Sequence, residues 1–470
     1  MKLTSIKKHS VNPTKLDTDD SPVNQKKRSL FVSGIVKVFA FLVPVGIIVA
    51  LVPYLIMVSS AILQPFFKAA NFTVNGNSAA FESMKREPTL RTDANGFTNA
   101  LIVGIDTREK GSRLLNTDTI ILASYNHKTN EVAMVSFPRD LTVNYPGTPS
   151  FGKINATYAY GELRKSGAGI EYLKQLIESI SGQKIHYHVM VDLKGFTTII
   201  DQLGGIEVSV DTAFSGDYPT PNHRWIRVTF PKGVNKMNGE RALQFSRIRF
   251  AYPGSEASDF ARARRQQKVI QAVVDKATKV ETLQNTQAIF EIMSTVASHI
   301  KVNRVTPEDV EAGLSLLAKK GKPATFSLVL DPSAGGRYGR LITRGQSTLY
   351  TIEPSAGRNN WSQVKAFLKD YAAFPGLVTL DKNVTVYNKG KENYLTVYNN
   401  LRNRYYYTNF VNGGTPKDLP EPGVYNIGGT SSETAAQYLA TSQKLPYITV
   451  DETISVPKPK DTAIVIVMGK

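Results

Sequence analysis

From Val38 to Leu63 the chain runs for 26 residues without a charge. At 1.5 Å per residue a helix of that length spans the ~30 Å hydrocarbon core of a bilayer with some tilt. Pro44 and Pro53 kink such a helix without forbidding it. A cleavable leader has an apolar stretch of only about 7 to 15 residues, so a retained anchor is expected. Lys26, Lys27, Arg28 and Lys37 precede the run and only Lys68 follows closely. Positive charge stays inside, which leaves the amino terminus in the cytoplasm and everything after Leu63 outside.

With 470 residues the chain exceeds the size of one hydrophobic core, so two or three domains are expected. Composition is that of a globular protein, and it excludes a collagen, a coiled coil or a wholly disordered polymer. The 57 Lys and Arg against 39 Asp and Glu give a net charge of +18, which points to an anionic surface, polymer or phosphate compound as partner. The absence of Cys excludes disulfides, thiolate metal sites and cysteine nucleophiles.

Residues 1–37 read as a basic tail and 64–96 as a juxtamembrane linker. Ala100–Ile105, Thr119–Tyr125 and Val132–Phe137 are apolar runs with strand composition, the last two joined by a turn at Asn126–Asn130. A helical pattern over 155–180 breaks near Gly167 and Gly169. Ile185–Val191 then predicts a strand, Asp192 the cap of a helix closing at Gly204 and Gly205, and Ile206–Val210 another strand. Helices are expected over Asn238–Phe245, from Ser258 to about Ile300, and after Pro307. The whole predicts an α/β catalytic domain over 97–374, a mixed central sheet flanked by helices. A boundary at Pro375 and Gly376 precedes a small α/β domain over 378–470, with strands at Val384–Tyr387, Arg404–Phe410, Ile448–Val450 and Ala463–Val467 and a helix near Glu433–Thr441.

Asp106 ends one predicted strand and Asp118 begins the next, so two carboxylates can share a sheet edge. Such a pair suits Mg²⁺, which takes one or two protein carboxylates and leaves room for substrate phosphates; simple turn capping by each Asp is the alternative. Arginine is concentrated in Arg247, Arg249, Arg262, Arg264 and Arg265. Arg262 and Arg265 stand three apart on a helix and can converge on one anion, and the guanidinium fork grips phosphate oxygens in pairs. A solvated helix face is the competing reading, against which stands Arg139, directly after a core strand. Gly147, Gly152 and Lys153 imitate a nucleotide loop, but Ile154 lacks the required hydroxyl. His186 and His188 have no third ligand in sequence and read as structural. Ser362 and Lys365 lack the companion motifs of penicillin-binding enzymes.

Eight motifs in order resemble the LytR-CpsA-Psr family: Leu-Ile-Val-Gly-Ile-Asp106, Asn116-Thr-Asp118-Thr, Phe-Pro-Arg139-Asp140, Lys153-Ile-Asn155-Ala-Thr-Tyr158, Asp201-Gln-Leu-Gly-Gly205, Asn238-Gly-Glu-Arg-Ala-Leu, Arg247-Ile-Arg249, and Asp259-Phe-Ala-Arg262 to Arg265-Gln-Gln. Residues 378–470 look like the LytR carboxy-terminal domain. The resemblance implies a membrane-anchored enzyme that moves an anionic glycopolymer from a polyprenyl pyrophosphate carrier to the C6 hydroxyl of N-acetylmuramic acid in peptidoglycan. It implies Mg²⁺ on Asp106 and Asp118. Arg139, Arg247, Arg249, Arg262 and Arg265 would hold the pyrophosphate, with Lys153 and Asn155 in the substrate-binding set and an apolar tunnel for the lipid. Asp259 is the candidate base, or else an orienter of Arg262. Two departures from the family pattern stand out. Asn116 replaces a common Arg, which Arg108 or Arg113 could make good, and Ala261 replaces a common Gly. A phosphatase on the same lipid carrier and a nonenzymatic membrane-bound anion-binding regulator remain as alternatives. Outward topology makes nucleic acid an unexpected partner.

Overall fold

The computed structural model describes residues 89–106, 115–220, 224–277, 300–302, 307–345, 350–390, 394–450 and 454–469. The basic tail, the run Val38–Leu63, the linker to residue 88, Arg108, Arg113 and the end of the helix expected to reach Ile300 lie outside these. Among the described residues no helix is long and apolar enough to cross a membrane.

The strands expected from the Ile- and Val-rich runs form: β1 (Phe97–Ile105), β2 (Thr117–Asn126) and β3 (Glu131–Ser136). A hairpin of β4 (Thr142–Asn144) and β5 (Phe151–Lys153) follows. Helices α1 (Thr157–Arg164) and α2 (Gly169–Ser181) then lead to β6 (Tyr187–Asp192). Asp192 caps α3 (Leu193–Gln202) by accepting from the Gly195 N–H at 2.7 Å, as expected of an Asp before an apolar helical pattern. Next come β7 (Ile206–Val210), β8 (Phe214–Pro219), β9 (Trp225–Phe230), β10 (Gly233–Met237) and α4 (Gly239–Arg247), the last capped by Asn238. β11 (Ala251–Tyr252), α5 (Asp259–Ala277), β12 (Ile300–Val302), α6 (Pro307–Lys320) and β13 (Ala324–Val329) complete the central body.

Its sheet has the order β12-β6-β1-β2-β3-β13. β1 and β6 are parallel, as are β3 and β13, with β2 antiparallel between β1 and β3. The carboxyl ends of β1, β3, β6 and β13 and the start of β2 therefore lie on one edge, where α/β sheets place their ligand crevices. Gly239 allows α4 to abut α3, since a Cβ there would lie 2.2 Å from the Thr197 carbonyl oxygen. The Gly239 N–H also donates to Asp201 Oδ1 at 2.7 Å, so the Asp201 and Asn238 motifs meet as a clamp between helices.

After β14 (Leu341–Arg344) and β15 (Thr351–Pro354), helix α7 (Ser362–Ala373) and short helix α8 (Pro375–Val378) cross to the carboxy-terminal region. The boundary drawn at Pro375 and Gly376 falls on α8, which is wholly buried. Beyond it β16 (Asn383–Asn388), α9 (Tyr394–Arg404), β17 (Phe410–Gly414), β18 (Gly423–Asn426), α10 (Glu433–Gln443), β19 (Tyr447–Thr449) and β20 (Thr462–Met468) form a five-stranded sheet of order β17-β16-β20-β18-β19 with its helices. The strand expected over Arg404–Phe410 is absent. Arg404 ends α9, and Tyr405, Tyr406 and Tyr407 form a turn whose rings pack on Phe374, on one another and on Phe367. Bulky aromatics raise strand propensity, but tertiary packing claims these three. One apolar core runs from Leu101 and Leu122 through Leu368 and Phe374 to Val384 and Ile464, joining the two sheets.

Candidate active site

A cavity of about 350 Å³ opens at the sheet edge defined above. Asp106 follows β1 directly, and its N–H donates to the Asn116 carbonyl at 3.2 Å, which ties the end of β1 to the start of β2. Asp118 enters from β2. Gly104 stands beside them because a Cβ there would approach Thr119 Cβ to 2.9 Å. Both carboxylates line the cavity, together with Arg139 from the end of β3, Arg247 and Arg249 from the end of α4, and Arg262 from the first turns of α5. Residues distant in sequence thus converge on one opening.

Asp259 organises the arginines. Its Oδ2 accepts from Arg139 Nε at 3.0 Å, and its Oδ1 lies 3.2 Å from Arg249 Nε and 3.7 Å from Arg262 Nη2. Three guanidinium groups surround Asp259, as an orienter of arginines would require, and Asp259 itself is not among the residues that line the cavity. Arg139 also reaches Asp118 Oδ1 at 3.3 Å, which Asn155 Nδ2 approaches at 3.3 Å as well. Burial opposes the charge of Arg139, but Asp259, Asp118 and Asp140 outweigh it and hold its pKa above the ordinary value. Arg247 Nη2 stands 3.4 Å from Asp106 Oδ2.

Arg262 differs from these. It is 6% exposed, its pKa is lowered by burial, and its Nε is a buried donor without a hydrogen-bond partner. A buried N–H of a charged group left unbonded costs on the order of 1–3 kcal/mol or more, and here it belongs to a side chain lining an open cavity. The Arg262 side chain lines the cavity, where an anionic oxygen would pair with its charge.

Arg265 requires a correction. It was expected to converge with Arg262 on one anion, but it does not line the cavity. Its Nε donates to the Phe245 carbonyl at 2.9 Å, Nη2 to the Ile248 carbonyl, and Nη1 to Glu256 Oε2 at 2.8 Å, with the guanidinium 4.8 Å from the Phe214 ring centroid. Residues three apart on a helix diverge by about 60° around its axis, enough to turn Arg265 into the core beneath α4. Lys153 is likewise held, with Nζ 2.5 Å from Asp140 Oδ1. Its role as a substrate contact is not visible in the geometry.

Much of the remaining lining is apolar, with Ile102 and Val103 from β1, Phe196 from α3, Leu243 from α4 and Ile270 from α5, beside polar Asp192, Asp217, Ser246 and Gln266; Trp225 and Phe250 are exposed among the lining residues. Ile102, Val103 and Leu243 fall inside motifs quoted from the sequence, whereas Phe196, Trp225, Phe250 and Ile270 were not singled out there. Arg262, Gln266 and Ile270 recur every fourth residue along α5, a spacing that marks one helix face.

The donor set fits Mg²⁺. Asp106 and Asp118 line one cavity, as Asp192 and Asp217 also do, and among the described residues no group of three or more His, Cys, Asp or Glu offers a closed cage. This suits an ion that keeps most of its shell for water and phosphate.

A charged rim joined to a largely apolar recess has the shape and chemistry to take an amphipathic molecule with an anionic head. The chain belongs to the LytR_cpsA_psr family, which matches residues 66–325. Among its relatives is the polyisoprenyl-teichoic acid–peptidoglycan teichoic acid transferase TagU of Bacillus subtilis strain 168. It is 30% identical over 238 residues, which cover 50% of this chain and 69% of TagU. The TagU of Bacillus licheniformis is 28% identical over 250 residues, 52% of this chain and 73% of that protein. The crystal structure of B. subtilis TagV is 25% identical and covers 60% of this chain and 99% of TagV, with a TM-score of 0.45.

Proposed function

We propose that the protein is a membrane-anchored phosphotransferase that moves an anionic glycopolymer from a polyprenyl pyrophosphate carrier to the C6 hydroxyl of N-acetylmuramic acid in peptidoglycan. The observation that carries this reading is the convergence of Arg139, Arg247, Arg249 and Arg262 with Asp106 and Asp118 on one cavity, at its junction with a mostly apolar wall. That junction matches a pyrophosphate attached to a hydrocarbon chain. Membership of the family and the names of the TagU relatives support the same chemistry.

In this reading the acceptor hydroxyl oxygen attacks the phosphorus bearing the glycan. The bond to the bridging oxygen breaks, polyprenyl phosphate leaves and takes up the hydroxyl proton, and a phosphodiester remains. Such transfers depend on in-line placement and on stabilising charge over the phosphate oxygens, with little covalent work by protein groups. Arg139, Arg249 and Arg262, fixed by Asp259, supply fixed positive charge on one side, and Arg247 supplies it beside Asp106. Asp106 and Asp118 would hold Mg²⁺, whose contribution is further neutralisation of the pyrophosphate. The apolar recess would take the first part of the prenyl chain, and the run Val38–Leu63 would keep the site in the plane where the donor diffuses, raising its effective concentration.

The test is reconstituted full-length protein given polyprenyl pyrophosphate-linked glycan, with and without peptidoglycan. A phosphodiester-linked product formed only with acceptor and Mg²⁺ supports transfer. Acceptor-independent release of polyprenyl phosphate would make the protein a hydrolase instead. Binding of anionic polymer without turnover, unchanged by Asp106→Ala with Asp118→Ala, would make it a regulator.

A further inference from the structure

A second opening of about 1160 Å³ lies where the loop after β13 meets the carboxy-terminal region, and no role has been assigned to it so far. Its lining includes Arg337 and Arg340 from that loop, Arg402 from the last turn of α9, and Tyr406 from the turn that follows. The charge pattern separates this groove from the cavity, where Arg139, Arg247 and Arg249 each face a carboxylate. Arg337 donates to carbonyl oxygens, Nε to Tyr407 at 2.6 Å and Nη2 to Leu380 at 3.1 Å, so its charge stays uncompensated. Arg340 sits over the Tyr406 ring, 4.5 Å from its centroid. Neither Arg340 nor Arg402 makes an ion pair among the described residues, and Asp381 is the one carboxylate among the lining residues. Three guanidinium groups thus share a groove that holds one carboxylate, Asp381.

Backbone conformation adds an independent observation. Arg340 has φ 53°, in the left-handed region that an L side chain rarely occupies, although Gly335, Gly336 and Gly339 nearby show that this loop uses glycine where it turns that way. Glycine would adopt the Arg340 conformation without strain. A strained residue whose exposed side chain lines this groove is held there for what the side chain does.

We infer that this groove binds a linear polyanion, a chain of phosphodiester or carboxylate repeats, with Arg340 and Arg402 contacting successive negative groups and Tyr406 offering a ring for a sugar face. The position suits this. β13 runs parallel to β3, the Leu330 N–H donates to the Ser136 carbonyl at 3.1 Å, and the Arg337–Arg340 loop thus leaves the same sheet edge that carries Arg139. A long polymer held at one end in the cavity needs a surface beyond its pyrophosphate, so the inference deepens the transfer reading and rests on it for the polymer's length. It also gives the carboxy-terminal region a task, since Arg402 and Tyr406 come from it.

The experiment titrates full-length protein in detergent with linear inorganic polyphosphate and, separately, with an oligogalacturonate of equal charge. Arg340→Gly combined with Arg402→Ala should weaken binding of at least one probe by about ten-fold, the scale of two exposed charge contacts. It should also flatten the fall of log affinity with log salt, because two fewer counterions are released. Tighter binding of polyphosphate assigns a phosphodiester polymer, and tighter binding of the galacturonate a uronic acid polymer. Arg340→Gly alone should keep or raise the melting temperature. Unchanged affinity in the double variant overturns the inference. So does loss confined to Arg249→Ala, which would put the polyanion in the cavity, or a lowered melting temperature in Arg340→Gly, which would make Arg340 a packing residue. No donor lipid enters the titration, so failure of the transfer reading and failure of the groove give separate results.

Discussion

Two neighbouring regions of α5 hold arginines of the same charge and similar burial, and they do opposite things. Around Arg265 the guanidinium meets three backbone carbonyls, a carboxylate and an aromatic face, all from the chain itself. Around Arg262 the neighbours are Asp259 at 3.7 Å and a cavity, and one donor is left over. Arg265 closes the structure, whereas Arg262 leaves it open to something from outside. Burial and charge alone do not distinguish a structural arginine from a functional one; the count of donors already satisfied does.

The comparison breaks most sharply by truncation. Arg262→Ala should cost about 2.7–4 kcal/mol of transition-state stabilisation, roughly 10²–10³ in kcat, the scale of one lost oxyanion donor. Its thermal midpoint should move little, because an imperfectly satisfied buried charge leaves with it. Arg265→Ala should do the reverse: it strands the Glu256 carboxylate and three carbonyls and costs about 3 kcal/mol of stability, read by chemical denaturation. Full transfer activity in the first variant, or an unchanged denaturation midpoint in the second, would erase the distinction.

Much of the charged rim was legible in sequence because it is carried by short motifs at the ends of regular elements, and helix capping by Asp192 and Asn238 is local chemistry. The apolar recess was not. Ile102, Phe196, Leu243 and Ile270 come from four separate elements, and each reads in its own segment as an ordinary core residue. β8 and β9 were missed for a related reason: Gly216, Asp217 and Pro219 depress strand propensity, so the period-two burial of Phe214, Gly216 and Tyr218 is the main trace of β8. Arg265 was misread because equal spacing on a helix says nothing about which side chain meets a vacancy and which meets a carbonyl.

A buried base should behave differently from either arginine, and His188 on β6 is that case. Burial, aided by Lys174 and opposed by Glu171, lowers its pKa from 6.5 to about 4. The folded value is depressed, so the stabilisation is present above the unfolded value of 6.5 and is lost as pH falls toward 4. By pH 5 the loss amounts to about 2 kcal/mol. His188→Gln should flatten the stability profile between pH 6.5 and 4, while Arg265→Ala should lower it without changing that slope.

The smallest effect tests the edge of the comparison. Lys153 belongs to the substrate-binding set by resemblance, yet its ammonium lies on Asp140, and Asp140 also stands 3.7 Å from Arg139 Nε. Burial raises the Asp140 pKa, but Lys153, Arg139 and Tyr350 together pull it below the usual carboxylate value. If Lys153 acts only through that pair, Lys153→Met removes a half-exposed ion pair worth about 1 kcal/mol or less. The expected loss in kcat/KM is then a few-fold, arising from a less firmly held Arg139 and falling on kcat with KM for the donor nearly unchanged. A loss of two orders of magnitude concentrated in KM would mean that the ammonium leaves Asp140 for the donor. Lys153 would then join Arg262 among the groups left open for a ligand.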